Sequence, residues 1–229
     1  MIVAIDGPAA SGKSTAARAL AARLGLRFLD TGAMYRAVTW LALERGIPTD
    51  DAVALEALAT QVELVFDEDG RLFVDGRLAE PDIRSAKVTG AVSAVAAHGG
   101  VRMHVVGRQR ELARAWGGLV AEGRDTTTVV FPQAEHKFYL WASPRERARR
   151  RAGEMGEPER EDAICVELEQ RDHFDSTRAI APLRQAPDAR RIESDGLSAD
   201  AVVDALYAAL GADTDGAGGG RRPHRGVAR

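Results

Sequence analysis

Eight consecutive residues, Gly7-Pro8-Ala9-Ala10-Ser11-Gly12-Lys13-Ser14, bring together the residue types that hold a polyphosphate. They fit G-x-x-x-x-G-K-[ST], in which glycines let main-chain N–H groups wrap phosphate oxygens and a helix starting directly behind adds the positive end of its dipole. Lys13 is placed to reach the β and γ phosphates, and Ser14 to offer its hydroxyl to Mg2+, with Thr15 at the helix start beside them. Lysine recurs only at Lys87 and Lys137, arginine supplying nearly all other positive charge, so a lysine here is not compositional noise.

Transfer of a phosphoryl group asks a protein for positioning and charge more than covalent chemistry. Arginine suits that task, because its planar fork grips phosphate in bidentate fashion and keeps its charge. Arg36, at the end of Asp30-Thr31-Gly32-Ala33-Met34-Tyr35-Arg36, and Arg124, within Glu122-Gly123-Arg124-Asp125, both follow strand-like runs. They are expected to set two forks on a second anionic ligand beside the triphosphate, with Thr31 and Tyr35 facing the same crevice. Arg145, Arg147, Arg149, Arg150 and Arg151 stud one helical stretch. Arg147 and Arg151, at i and i+4, share a face and are the expected pair stabilising the transfer. Glu122, Asp125 and Asp175 are the acidic candidates: they could hold a metal, orient the arginines or accept hydrogen bonds from a sugar or base. Thr126-Thr127-Thr128 reads as structural. His98, His104, His136 and His173 have no metal-ligand spacing with one another or with Cys165.

These groups need elements to carry them. Ile2-Val3-Ala4-Ile5 reads as a strand, and the alanine-rich stretch from Thr15 to Leu24 as a helix. Leu26 to Leu29 reads as a second strand leading to a helix that stops at Arg45-Gly46-Ile47-Pro48, and a short helix follows through Val53 to Ala59. Alternation in Val62 to Phe66 and Arg71 to Gly76 around Asp67-Glu68-Asp69-Gly70 predicts an antiparallel hairpin, hence a small lobe near 60–85. Helices are expected over Ala86 to Ala97, Val101 to Trp116, Ala163 to Phe174 and Ala199 to Leu210. Strands are expected at Leu119-Val120-Ala121, at Phe138 to Trp141 and, on an edge, at Arg191 to Glu193. Ala142-Ser143-Pro144 reads as the start of the arginine-studded helix, and Gly153 to Asp162 as a mobile segment. The sum is an α/β fold: a parallel sheet flanked by helices, with ligands at the carboxyl ends of its strands.

With 229 residues there is room for one sizeable core, and the formal charge of −3 gives no general field for nucleic acid or an anionic membrane. One cysteine excludes an internal disulfide, and no apolar run approaches the roughly 18 residues that cross a bilayer. A cytoplasmic protein is expected, with no nucleic-acid or membrane partner. Residues 212–229 lack apolar periodicity and are expected to be a disordered tail, the arginines from Arg221 to Arg229 solvated.

Five ordered segments resemble bacterial cytidylate kinases, within the nucleoside monophosphate kinases. They are the loop with Asp6 before it, Leu29 to Arg36, Gly123-Arg124-Asp125 with Thr128 to Pro132, Ala142-Ser143 leading through Glu146-Arg147-Ala148 to Arg150-Arg151, and Arg171-Asp172 leading through Asp175 and Arg178 to Ala181-Pro182-Leu183. The resemblance covers Ile2 to about Leu210. It implies one P-loop kinase domain over 1–211, with a nucleoside-monophosphate-binding insertion at about 36–100 and a short lid at about 150–165. ATP with Mg2+ would phosphorylate CMP or dCMP on a monomer. Gly7 to Thr15 would hold ATP; Lys13, Arg124, Arg147 and Arg151 would serve transfer. Thr31, Tyr35, Arg36 and Arg124 match acceptor-phosphate and pocket positions, Ser93, Arg102, Asp125 and Arg178 the cytosine readers, and Arg171 and Asp175 the sugar-contacting pair. Glu122, often aspartate in the family, would contact sugar or base. Thr126-Thr127 stands where the family has Ile or Met followed by Gly, so that loop is expected to be altered.

A guanine-reading switch protein needs an Asn-Lys-x-Asp motif, and the chain contains no asparagine. The rival readings are another P-loop kinase, acting on UMP, dTMP or a non-nucleotide alcohol, and a degenerate nucleotide binder.

Overall fold

The structure is a computed structural model and describes residues 1–216. β1 (Ile2–Asp6) leads through the glycine loop into α1 (Lys13–Leu24), then β2 (Arg27–Asp30), α2 (Thr31–Glu44) and α3 (Ala52–Gln61). β3 (Leu64–Phe66), β4 (Leu72–Val74) and β5 (Arg77–Leu78) form a small antiparallel sheet in that order. α4 (Ala86–Val95), α5 (Gly99–Trp116), β6 (Leu119–Gly123) and a π-helical turn at Thr126–Val130 follow. β7 (His136–Trp141), α6 (Pro144–Met155), α7 (Glu161–Thr177), β8 (Arg190–Glu193) and α8 (Ala199–Gly216) complete the described chain.

The five-stranded sheet has the order β2-β6-β1-β7-β8, every pair parallel. β1 takes the centre because both of its faces are apolar: Val3, Ala4 and Ile5 are fully buried. Val3 and Ile5 share one face with Val120, Phe138 and Leu140, covered by Leu20 of α1 and Leu206 of α8. Ala4, Leu29 and Ala121 share the other with Met34, Val38, Val101 and Val105 from α2 and α5. That period-two alternation splits the core into two layers around one sheet. Burying a side chain such as Leu206 stabilises by roughly 1.5–3 kcal/mol.

The lobe is not a separate core. Leu64, Phe66, Leu72 and Val74 join the same apolar cluster as Ala4 and Leu29, which ties the insertion to the main sheet. The expected hairpin gains a third strand, β5, paired by Phe73 with Leu78 and Val74 with Arg77.

Gly153 to Asp162 is not a free segment. α6 continues through Gly153 to Met155 and ends at Gly156, whose φ of 71° is cheap only for glycine. Pro158–Arg160 makes one tight turn before α7, so the expected lid at about 150–165 is a helical hairpin. Ala148, Ala152, Ile164 and Leu168 close it against Ala9 of the glycine loop. α8 runs beyond the expected end at Leu210 into the segment read as a tail. Residues 217–229, including Arg221 to Arg229, lie outside the described residues.

Candidate active site

Parallel pairing brings the ends of β1, β2, β6 and β7 to one edge. There the chain turns sharply at Gly7, where a Cβ would lie 2.2 Å from the carbonyl oxygen of Leu140. Lys13 is buried; its Nζ donates to Pro8 O at 2.9 Å and lies 3.9 Å from Glu122 Oε2. Burial, then repulsion from Arg124, pulls its pKa down to about 7, against attraction by Glu122. Such a lysine gains by meeting an anion. Ser14 Oγ donates to Glu122 Oε1 at 2.6 Å. Against Ser11, Gly12 and Thr15 lies a cavity of about 310 Å³, bounded by Arg150, Leu197 and Val202.

Glu122 therefore sits with the loop rather than with a sugar or base as the resemblance implied. The register sets it opposite Ile5 on β1 and Asp30 on β2, which turns its carboxylate to the root of the loop. Burial first, then Asp30, pushes its pKa up, while Lys13 and the Ser14 hydroxyl pull it down.

The crest of the loop is held from α6 and α7. Arg147 Nη1 donates to Ala9 O at 2.9 Å and lies 2.6 Å from Asp172 Oδ2, while Asp172 Oδ1 accepts the Ala9 N–H at 3.2 Å. Arg147 Nε donates to Ala142 O at 3.0 Å. Arg151 does not join it, pairing instead with Glu154 at 3.2 Å on the exposed side. The buried face of α6 runs through Arg147, Ala148 and Ala152, while Arg151 stays exposed, its charge still acting on Arg171. Arg150 reaches the loop in its place: Nη1 lies 3.1 Å from Ser194 Oγ and 3.4 Å from Ser11 O.

Beside the loop three guanidinium groups converge. Arg36 donates to Ile83 O at 3.1 Å and Thr89 Oγ1 at 2.9 Å. Arg124 Nε donates to Asp175 Oδ2 at 3.2 Å. Arg171 Nε lies 4.0 Å from that same oxygen and, among the described residues, has no hydrogen-bond partner. Burial, then the charge of Arg171, brings Arg36 down to about 10, and burial, then the charge of Arg124, brings Arg171 to about 10. Arg124 moves the opposite way: burial lowers it, but Asp175, Glu122 and Asp172 together hold it above the usual arginine value.

Behind it lies a buried polar pocket. Asp125 accepts a hydrogen bond from Arg102 Nη2 and stands 3.6 Å from Arg178 Nη2. Arg178 Nε donates to Ala181 O at 2.6 Å. The Arg102 guanidinium lies 5.4 Å from the centre of the Tyr35 ring. Tyr35 OH and Arg178 Nη2 are buried without a hydrogen-bond partner among the described residues. Burial pushes the Asp125 carboxyl up, though Arg102 and Arg178 pull the other way.

The cytidylate kinase family profile matches residues 3–211. The chain belongs to the cytidylate kinase family. It is 51% identical over 214 residues to a bifunctional pantoate ligase/cytidylate kinase of Synechococcus sp. (strain JA-3-3Ab), covering 90% of this chain and 39% of that protein. It is 49% identical over 213 residues to the bifunctional pantoate ligase/cytidylate kinase of Prochlorococcus marinus (strain MIT 9303), covering 90% and 43%. The chain thus spans about two fifths of the length of these curated relatives. The crystal structure of an uncharacterized protein from Eubacterium ventriosum ATCC 27560 shares the fold, with a TM-score of 0.51 at 11% identity, covering 93% of this chain and 98% of that one.

The positions carried over from the cytidylate kinase family fall into two sets in the structure. Tyr35, Arg36, Arg102, Arg124, Asp125, Arg171, Asp175 and Arg178 come together around the two clusters just described. Thr31 spends its hydroxyl on Glu122 O at 2.7 Å, so it braces β6, and Ser93 lies half-buried on α4. Thr126-Thr127, the departure from the family pattern, does not loosen the loop. Neither residue has a positive φ, and both donate to Asp6. Asp172 and Arg150 were missed as site residues. Asp172 stood beside Arg171 in a quoted motif, the only signal that could have found it.

Proposed function

We propose that the chain transfers the γ phosphate of ATP to CMP and dCMP. The observation that carries this reading is the half-buried cluster of Arg36, Arg124 and Arg171 set next to Lys13, in which burial and neighbouring guanidinium charge pull Arg36 and Arg171 down. An acceptor phosphate supplies the missing negative charge. Transfer then needs no strong general base, because the attacking oxygen already carries charge.

In this reading the amides of Gly7 to Thr15 and the Lys13 ammonium take the phosphates of ATP, and its base enters the cavity beside Ser11, Gly12 and Thr15. Arg147 and Asp172 keep the Ala9 peptide aligned. Ser14 and Glu122 present a hydroxyl and a carboxylate 2.6 Å apart, hard oxygen donors that fit Mg2+. Mg2+ there would offset the negative charge of the phosphates during transfer. Asp125 complements the cytosine N4 amino group, and Arg178 and Arg102 complement its N3 and O2 acceptors. Uracil would leave the buried carboxylate facing a carbonyl, a costly mismatch. Arg171 and Asp175 would hold the sugar.

The test is ADP release with Mg2+ and ATP over CMP, dCMP, UMP and dTMP. CMP or dCMP should have the highest kcat/KM. A higher value for UMP or dTMP would contradict the pocket assignment, and no ADP with any of them would contradict transfer itself.

A further inference from the structure

Asp6, the last residue of β1, is fully buried, yet among the described residues it has no cation within ion-pair distance. Its carboxylate is instead enclosed by four donors from one turn. Oδ1 accepts the Thr126 N–H at 2.8 Å and the Thr126 hydroxyl at 2.6 Å. Oδ2 accepts the Thr127 N–H at 2.8 Å and the Thr127 hydroxyl at 2.6 Å. A buried carboxylate is tolerated only when hydrogen-bonded to this extent.

The place of the clamp gives it a consequence. Asp6 precedes Gly7, where the phosphate loop begins, and Thr126 follows Asp125, which meets Arg102 and Arg178 in the polar pocket. One carboxylate therefore joins the root of the donor loop to the loop that carries Arg124 and Asp125. The two ends of this link are not equally anchored. Asp6 is held in the sheet by pairing with Gly123 and with Tyr139. The turn lies outside the sheet; besides its own amides it is tied by Arg110, which donates to Val130 O at 2.9 Å and Val129 O at 2.7 Å. Losing the clamp should therefore loosen the turn, and the strand should stay in place.

We infer that Asp6 is a positioning residue for the acceptor pocket, holding the Arg124–Asp125 loop in register through the amides and hydroxyls of Thr126 and Thr127. The two hydroxyls supply half of the clamp, so threonine at these positions strengthens the loop. The inference rests on the proposed acceptor reading for the identity of the ligand.

The experiment is calorimetric binding of CMP and, separately, of MgADP to the full chain, its Asp6→Asn variant, its Thr126→Val/Thr127→Val variant and the combined variant, with melting temperatures for each. Asn keeps one carbonyl acceptor and brings an NH2 that cannot accept from an amide. Asp6→Asn should weaken CMP about tenfold to a hundredfold while MgADP changes by less than about threefold. The double valine variant should weaken CMP about threefold to tenfold. The combined variant should cost less than the product of the two, since both remove the same contacts. Equal weakening of CMP and MgADP, unchanged CMP binding in a folded Asp6→Asn protein, or strict multiplicativity would each overturn the inference. If the unsubstituted chain bound no CMP at all, the acceptor reading would fall first, and that result is separable from these. Should Asp6→Asn not fold, the valine variant alone decides by the same comparison of CMP with MgADP.

Discussion

In the proposed reading, the donor side and the acceptor side of the site would meet phosphate by different means. The Gly7 to Ser14 turn offers main-chain amides and a lysine that lies close to the Glu122 carboxylate. The acceptor side offers guanidinium groups from α2, the β6 loop and α7, laced with Asp125 and Asp175. Amides at a helix start are fixed as soon as the helix forms, so they cost little to organise. Half-buried guanidinium groups must be partly desolvated, and Arg36 and Arg171 are in addition held against neighbouring positive charge that an anion would relieve. On this reading the backbone preorganises the donor cradle, and electrostatic tension around Arg36 and Arg171 organises the acceptor cradle.

Removing the donor-side lysine should have the largest effect. Lys13→Ala is expected to lower kcat about a thousandfold or more, measured by ADP release at saturating CMP. An unchanged kcat would break the donor half of the comparison. Next comes Arg178→Ala, which removes a guanidinium beside Asp125. It should raise the KM for CMP about tenfold to a hundredfold and leave that for MgATP within about twofold; equal changes would dissolve the distinction between the two cradles.

Lys13 sharpens the contrast through pH. Its pKa stands at about 7 in the empty protein, lowered by burial first, and a triphosphate raises it. Binding then takes up a proton above pH 7, so affinity for MgATP falls as pH rises from 7 and is flat for this group below it. Calorimetry at pH 8 in buffers of different ionisation enthalpy should show uptake approaching one proton per ATP, lost in Lys13→Met.

If tension organises the acceptor side, relieving it should stabilise the empty protein. Arg171→Met should abolish most CMP binding yet raise stability by about 1 kcal/mol in denaturant titration, since Arg171 is pushed down to about 10 by burial and Arg124. A clear loss of stability would contradict the repulsion. The smallest effect is expected at Ala10, which takes a left-handed φ of 57° in the loop. Ala10→Gly relieves that strain but adds unfolded-state freedom, leaving stability within about 0.5–1 kcal/mol of the parent.

Legibility in the sequence follows the same divide. The donor loop lies in one contiguous stretch, and its strand and helix context could be read directly. Arg36 and Arg124 come from distant segments, and their convergence follows from the strand-like runs that precede them, whereas Arg178 is placed in the pocket only by the family resemblance. What sequence could not show was register: Glu122 turns to Ser14 only because β6 pairs with β1 so that Glu122 faces Ile5. The Asp6 clamp was hidden for the same reason, as nothing local to Thr126-Thr127 says what lies across the sheet. β5 has two exposed residues and no alternation to read. Gly156 and Pro158 mark the stretch read as mobile, yet Gly156 supplies the left-handed stop of α6 and Pro158 opens the next turn, so the hairpin stays helical.

The central claim is that the two cradles open toward each other across the path of one phosphoryl group. The most direct measurement is the affinity of a bisubstrate in which adenosine and cytidine are joined through five phosphates. The account predicts binding at least about a hundredfold tighter than ATP or CMP alone, because one ligand then fills both cradles. Binding no tighter than ATP alone would contradict it.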